Sequence, residues 1–336
     1  MEQYSGMEEQ IASFPEQLEL AVEIGQSLNL PALSNIQNIY IAGMGGSAIG
    51  AEFVRQWTTA LCSYPIHVAK GYHVPAWVGP QTLAIISSFS GNTEETLAAF
   101  ETIHQRKAKL ISISAGGKLR QYAHHHHIPH ITMPRKWISP RANLGLSSVL
   151  QYFILYKTGM LRVDLSDEFL RAADMLRQQA LAIQREAEQT ARGLSDVACL
   201  YIIVPEEYAS VGLRFRQQLN ENSKLHAAHF VIPEMHHNAI VGWKDAPSDF
   251  AVLLLSFRHI HPRNRLRLHL TEEMIGPICA HSYTLQSKGD SAIQESLYTV
   301  HLTDWISHYL ALLRGVDPVE VEIIESLKRK LREQSH

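Results

Sequence analysis

Cysteine is scarce in this chain: three in 336 residues, Cys62, Cys199 and Cys279. They are far apart, odd in number and lack thiolate metal-site spacing, which argues against a disulfide scaffold or a zinc ribbon. They read as reduced, buried thiols of a cytosolic protein. Charge of one sign is lacking too. Lys and Arg number 30 against 33 Asp and Glu, a net charge of −3. That balance offers no basic field for nucleic acid and no polybasic patch for a membrane surface. A long hydrophobic run is also missing. The longest uncharged apolar stretch, Ala142 to Tyr156, carries Asn143, Ser147, Ser148 and Gln151 and is shorter than the ~20 residues that span a bilayer. The first residues, MEQYSGMEEQIASFPEQLELAVEIG, have neither the basic start nor the apolar core of a secretory signal. The cytoplasm is the expected location.

What is present is a globular composition, 46% hydrophobic and 19% charged, at a length suited to two ordinary domains. Short β-rich runs alternate with helical ones, so an α/β fold with parallel sheets is expected. Strands are predicted at Ile36–Ala42, Pro65–Ala69, Thr82–Ser87, Lys109–Ser114 and Ile128–Met133. A second set is predicted at Ala198–Val204, His226–Ile232, Phe250–Ser256 and Ile278–Gln286. A helical stretch from Leu144 to about Gly193 bridges the sets, and the expected division is 1–150 and 151–336. A last helix is expected from Pro318, with Asp317 as cap and Glu320 completing the capping box. Its Val321, Ile324, Lys328 and Leu331 share one face, which places Lys328 on a buried stripe. The run His124–His127 is expected as a solvated loop rather than a metal site, and no metal or cofactor is expected elsewhere.

Residues 39–50 read IYIAGMGGSAIG. An apolar strand enters a glycine-rich turn and then a helix, whose first amides can face an anion. The dinucleotide fingerprint also fits Gly43, Gly45 and Ala48, but it requires an acidic residue at the end of the second strand. That strand reads PIHVAK, so dinucleotide binding is rejected. The third strand ends in the residues 87–96, SSFSGNTEET. Ser88, Ser90 and Thr93 can donate to phosphate oxygens there, beside the Gly45-Gly46-Ser47 turn. Helix capping is the plainer reading of each hydroxyl taken singly. Two such turns in one sheet favour an anion site. In the second half, Glu221 lies late in a helical segment, flanked by amides in QQLNENSK. It is a candidate general base. Taken alone, it reads as a surface glutamate paired with Lys224 at i+3.

GMGGSAIG, SSFSGNTEET, PRANLG, QQLNENSK, HHNAIVGW and DWISHYLALLRGVDP follow one another from about residue 36 to the end. Together they resemble the bifunctional phosphoglucose/phosphomannose isomerases, which are built from two sugar-isomerase (SIS) domains of flavodoxin-like type with a C-terminal helix. The resemblance implies a cytoplasmic aldose–ketose isomerase of carbohydrate metabolism, in glycolysis or gluconeogenesis. It would interconvert glucose 6-phosphate or mannose 6-phosphate with fructose 6-phosphate through an enediolate. It also implies roles. Gly45, Gly46, Ser47, Ser88, Ser90 and Thr93 would hold the phosphate, and Glu221 would shuttle the proton between C1 and C2. Arg141 would stabilise the enediolate. His237 and Lys328 would assist ring opening, His237 reaching the site from the neighbouring subunit of a homodimer. The chain departs from the family at Ala239, where a glutamate is usual, at His236, where an asparagine is usual, and at Val319-Glu320, where Thr-Pro often follows Pro318. The rival reading is a non-catalytic SIS-domain sugar-phosphate sensor, which would usually carry an output module. No helix-turn-helix pattern is visible, and no nucleic-acid or membrane partner is expected.

Overall fold

The computed structural model describes residues 6–245, 249–279 and 281–334. Two parallel sheets form the frame. The first holds β1 (Asn38–Ala42), β2 (Ile66–Ala69), β3 (Thr82–Ser87), β4 (Lys109–Ser114) and β5 (His130–Thr132) in the order β2-β1-β3-β4-β5. The second holds β6 (Cys199–Pro205), β7 (His226–Ile232), β8 (Phe250–Ser256) and β9 (His281–Gln286) in the order β7-β6-β8-β9. Both are thus wound alike: the first strand sits inside, the second turns to one edge, and the third and fourth continue the other way. Reversal of direction leaves a crevice beyond the C-terminal ends of the first and third strands of each sheet.

Apolar residues on both faces explain why these strands are parallel and buried. Ile39 and Ile41 of β1, Leu83 and Ile85 of β3, Leu200, Ile202 and Val204 of β6, and Leu253 and Leu255 of β8 enter one continuous core. The alternate residues enter two outer clusters. Tyr40, Ala84 and Ile86 meet Phe100 and Ile103 on one side, and Ile203, Val252 and Leu254 meet Leu268 on the other. Helices Leu144–Lys157 and Ala292–Leu313 are buried nearly all round and run through that shared core. The first of them crosses the expected division at 150 without a break.

The helical bridge is where it was expected, as three helices, Leu144–Lys157, Ser166–Gln178 and Ala180–Gly193, the first ending just before Gly159 at φ +81°. Several other expectations are corrected. The last helix is Glu322–Glu333, not a helix from Pro318. Asp317 instead accepts from the Val319 N–H at 2.8 Å, and the carbonyls of 317–320 are held by Arg141 and Lys224. Held in this way, the 317–320 segment lies outside the helix. The stripe on that helix is uncovered in the single chain: Lys328 is 57% exposed and pairs with Glu325 at 3.0 Å, and Leu327 and Leu331 face solvent. The three cysteines are free but only partly buried. His124 and His125 form the last turn of helix Gly117–His125 rather than a loop, though all four histidines are exposed as expected.

His301 shows how burial is felt across this core. It stacks on Phe14 at 5.8 Å and accepts from the Trp305 indole N–H at 3.3 Å. Burial pushes its imidazole down to about 3. A histidine with a folded value below its unfolded one binds fewer protons when folded. Its contribution is therefore complete above about pH 6.5 and is lost as pH falls from there toward 3. We expect His301→Gln to lose less stability than the parent between pH 7.5 and pH 5. Urea midpoints at the two pH values check this; equal losses would contradict it.

Candidate functional site

The Gly45-Gly46-Ser47 turn opens helix Gly45–Thr58, directly after β1. Gly45 has φ +50°, a conformation that favours glycine. Gly46 packs so closely on the turn Pro140–Asn143 that a Cβ there would lie 2.6 Å from the Pro140 carbonyl oxygen. The Ser47 hydroxyl accepts from the Phe89 N–H at 3.2 Å. Its own proton is left to donate elsewhere. The two anion-facing turns foreseen from the sequence are therefore in direct contact.

The second turn is organised around Ser88, which is buried at the end of β3. Its oxygen accepts from the Gly91 N–H at 3.1 Å and lies 2.9 Å from the Thr93 hydroxyl. Of two paired hydroxyls one proton is used between them and the other can serve a ligand. Thr93 stands at the N-cap of helix Glu94–Gln105, yet its side chain makes no cap hydrogen bond. Simple capping therefore does not account for it. Ser90 is exposed and its oxygen holds the Asn92 N–H at 3.2 Å.

Arg141 connects this region to the second half of the chain. Only 5% exposed, its guanidinium donates to Asn222 Oδ1 at 2.8 Å and to the carbonyls of Pro318 and Val319 at 2.5 and 3.2 Å. It also faces Glu221 Oε2 at 3.5 Å. Burial pulls the Arg141 guanidinium below its usual value, with Glu221 acting in the opposite sense. Glu221 is at the end of helix Ala209–Asn222 with a side chain 30% exposed. Lys224 does not claim its carboxylate. Lys224 turns back at φ +53° and donates instead to the backbone carbonyls of Glu221, Asp317 and Glu320 at 2.7–2.8 Å. The surface ion pair that a glutamate–lysine spacing suggests is absent, and the carboxylate is directed to Arg141.

Gly45, Gly46, Ser47, Ser88, Ser90, Thr93, Arg141 and Glu221 thus lie along one connected path. His237 and Lys328 do not join it. His237 is exposed at the end of the turn Glu234–His237, whereas its neighbour His236 is held by Thr271 at 2.8 Å and Arg267 at 3.1 Å. Among the described residues, no group of three or more His, Cys, Asp or Glu is arranged to hold a metal.

Arg214 was not foreseen. Almost fully buried, it donates to the Arg141 carbonyl and to Asp304 Oδ2, both at 2.8 Å. A buried charge without such partners would cost several kcal/mol, so the pair fixes the Pro140–Asn143 turn beneath the Gly46 contact. The signal was in the sequence: Arg214, Gln218 and Glu221 recur at i, i+4 and i+7, a polar stripe on a helical face otherwise buried.

Comparison with known proteins sets this geometry among relatives. Residues 32–155 match the SIS domain family, and residues 183–331 match the family described as bacterial phospho-glucose isomerase C-terminal SIS domain. The chain is similar to the bifunctional phosphoglucose/phosphomannose isomerase of Caldicellulosiruptor bescii, 33% identical over 97% of this chain and 99% of that protein. The Aquifex aeolicus protein of the same name is 34% identical over 90% and 93%. In fold the chain resembles the C-terminal domain of glucosamine-fructose-6-phosphate aminotransferase from Francisella tularensis. That likeness has a TM-score of 0.78 at 15% identity and covers 94% of this chain and 99% of the other.

Proposed function

The chain belongs to the family of bifunctional phosphoglucose/phosphomannose isomerases and is a sugar-phosphate isomerase, and we propose that it interconverts glucose 6-phosphate and mannose 6-phosphate with fructose 6-phosphate. The observation that carries this reading is the contact path from Ser47 through Gly46 and Arg141 to Glu221. That path supports a reading in which an anion cradle and a carboxylate serve the two ends of one six-carbon sugar bearing a terminal phosphate.

In this reading the phosphate lies against the amides of Gly45, Gly46 and Ser47 and the hydroxyls of Ser47, Ser88, Ser90 and Thr93. That grip is remote from the reacting carbons and supplies binding energy for orientation. Once the ring is open, Glu221 takes the proton from C2 of the aldose, leaving an enediolate whose charge faces Arg141. The hydroxyl proton on O2 passes to O1 and the proton on Glu221 returns to C1, giving the ketose. Rotation about C2–C3 before the reverse transfer gives access to both C2 epimers. His237 and Lys328 handle the protons of ring opening. In this reading, as the family resemblance implies, His237 serves the site of a second subunit in a homodimer, a role compatible with its exposure in its own chain. Lys328 arrives when helix Glu322–Glu333, uncovered in the single chain, closes over the site. The same reading includes two domains dividing near residue 150 and a cytoplasmic place in glycolysis or gluconeogenesis. A sensor would keep the cradle but has no use for a carboxylate set against a guanidinium.

A coupled assay tests the proposal. Glucose 6-phosphate and mannose 6-phosphate should each yield fructose 6-phosphate, with rates unchanged by EDTA. Sugar-phosphate binding without conversion of either substrate would overturn it.

A further inference from the structure

The two sheets share one winding, so each has a crevice at its point of reversal. In the first sheet that crevice lies between the ends of β1 and β3, where Ser47 meets the N–H of Phe89, the second residue past β3. The corresponding strands of the second sheet are β6 and β8. At their ends the crevice is not open. A carboxylate, that of Glu295 from helix Ala292–Leu313, is fully buried there.

Five donors converge on it. Glu295 Oε1 accepts from the Arg258 N–H at 2.7 Å and the Ser287 hydroxyl at 2.7 Å. Glu295 Oε2 accepts from the Tyr208 hydroxyl at 2.7 Å, the His259 N–H at 3.1 Å and the His259 Nδ1 at 2.7 Å. Tyr208 follows β6, and Arg258 and His259 are the second and third residues past β8. Ser287 follows β9. Arg258 therefore offers its N–H from the place in β8 that Phe89 occupies after β3. Consecutive backbone amides and hydroxyls aimed at one point are how open α/β sheets hold small oxyanions. The helix does not need this carboxylate as a cap, since the Ser291 side chain already accepts from the Gln294 N–H at 3.2 Å.

We propose that the second sheet retains an oxyanion-binding crevice equivalent to that of the first, and that the chain occupies it permanently with its own Glu295 carboxylate. The ligand class it fits is a small carboxylate or phosphate. The proposal goes beyond the isomerase reading and does not depend on it: the second crevice is closed to substrate phosphate whatever the first one binds.

Burial raises the Glu295 carboxyl, but hydrogen bonds from Arg258, Ser287, Tyr208 and His259 outweigh it and hold the group below the usual carboxylate range. Donor arrays of this kind favour the ionised acceptor, so a free anion placed there keeps the same advantage.

Chemical rescue is the test. The thermal midpoints of the parent, Glu295→Ala and Glu295→Gln are measured in formate, in acetate and in chloride at equal ionic strength. Removal of the side chain in Glu295→Ala leaves donors facing a space the size of a small carboxylate. Its midpoint should fall well below the parent's and rise by several degrees in formate, less in the bulkier acetate and not in chloride. Glu295→Gln fills the space with an amide and should be lowered without a formate response. If Glu295→Ala does not fold in chloride, the yield of folded protein on refolding in formate replaces the midpoint as the readout. A Glu295→Ala protein that formate restores no better than chloride, or a Glu295→Gln protein equally responsive to formate, would overturn the proposal.

Discussion

Replacing Glu221 by glutamine is expected to lower kcat by about 10²–10⁴-fold, the range that a positioned general base supplies, with KM within a few-fold of the parent. Glutamine keeps the shape of the side chain and can still face the Arg141 guanidinium, which lies 3.5 Å from the native carboxylate. It cannot accept the C2 proton. The groups proposed to hold the phosphate, from Gly45 to Thr93, are on other elements and remain as they are, so substrate binding should survive the change. Because Glu221 is partly exposed, the loss of its ion pair should move stability by no more than about 1 kcal/mol. Steady-state rates with either aldose phosphate measure the effect. A kcat within tenfold of the parent would remove Glu221 from the mechanism.

The second large effect is expected at Arg141. Arg141→Lys should reduce kcat by about 10²–10³-fold, the cost of losing one preorganised donor to a developing oxyanion. The guanidinium reaches Asn222, Pro318, Val319 and Glu221 at once because its donors are spread in a rigid fork. An ammonium group is a single point and cannot span all four. The turn itself should stay in place, since Arg214 grips the Arg141 carbonyl rather than the side chain. Loosening of the 317–320 segment should also lower the melting temperature. A lysine variant with near-parental kcat would show that the guanidinium serves only to hold that segment.

Much of the framework is legible in the sequence. Thr82–Ser87, Lys109–Ser114, His226–Ile232 and Phe250–Ser256 form strands at the predicted residues, because a β-rich run bounded by turn formers carries its own limits. Strand ends were less legible where proline or glycine intervenes: Ile278 lies in a short turn and β9 begins at His281. The hydroxyl turn after β3 was equally visible, since its residues are contiguous. The polar stripe of Arg214, Gln218 and Glu221 was legible too, but not the partner of Arg214, since Asp304 is 90 residues away.

The sequence determined by itself the α/β alternation, the two glycine- and serine-rich turns, and the family to which the chain belongs. Each of these is written in neighbouring residues, where local sterics and hydrogen bonding act. Only the tertiary structure decided which partner each charge takes. Spacing on one helix offered Lys224 to Glu221, yet the backbone reverses at Lys224 and sends its ammonium to three carbonyls, leaving the carboxylate to Arg141 from the other half of the chain. It likewise placed the start of the last helix at Glu322, after a segment whose carbonyls are held by Arg141 and Lys224. Charges and carbonyls pair across space, at distances along the chain that no local pattern records.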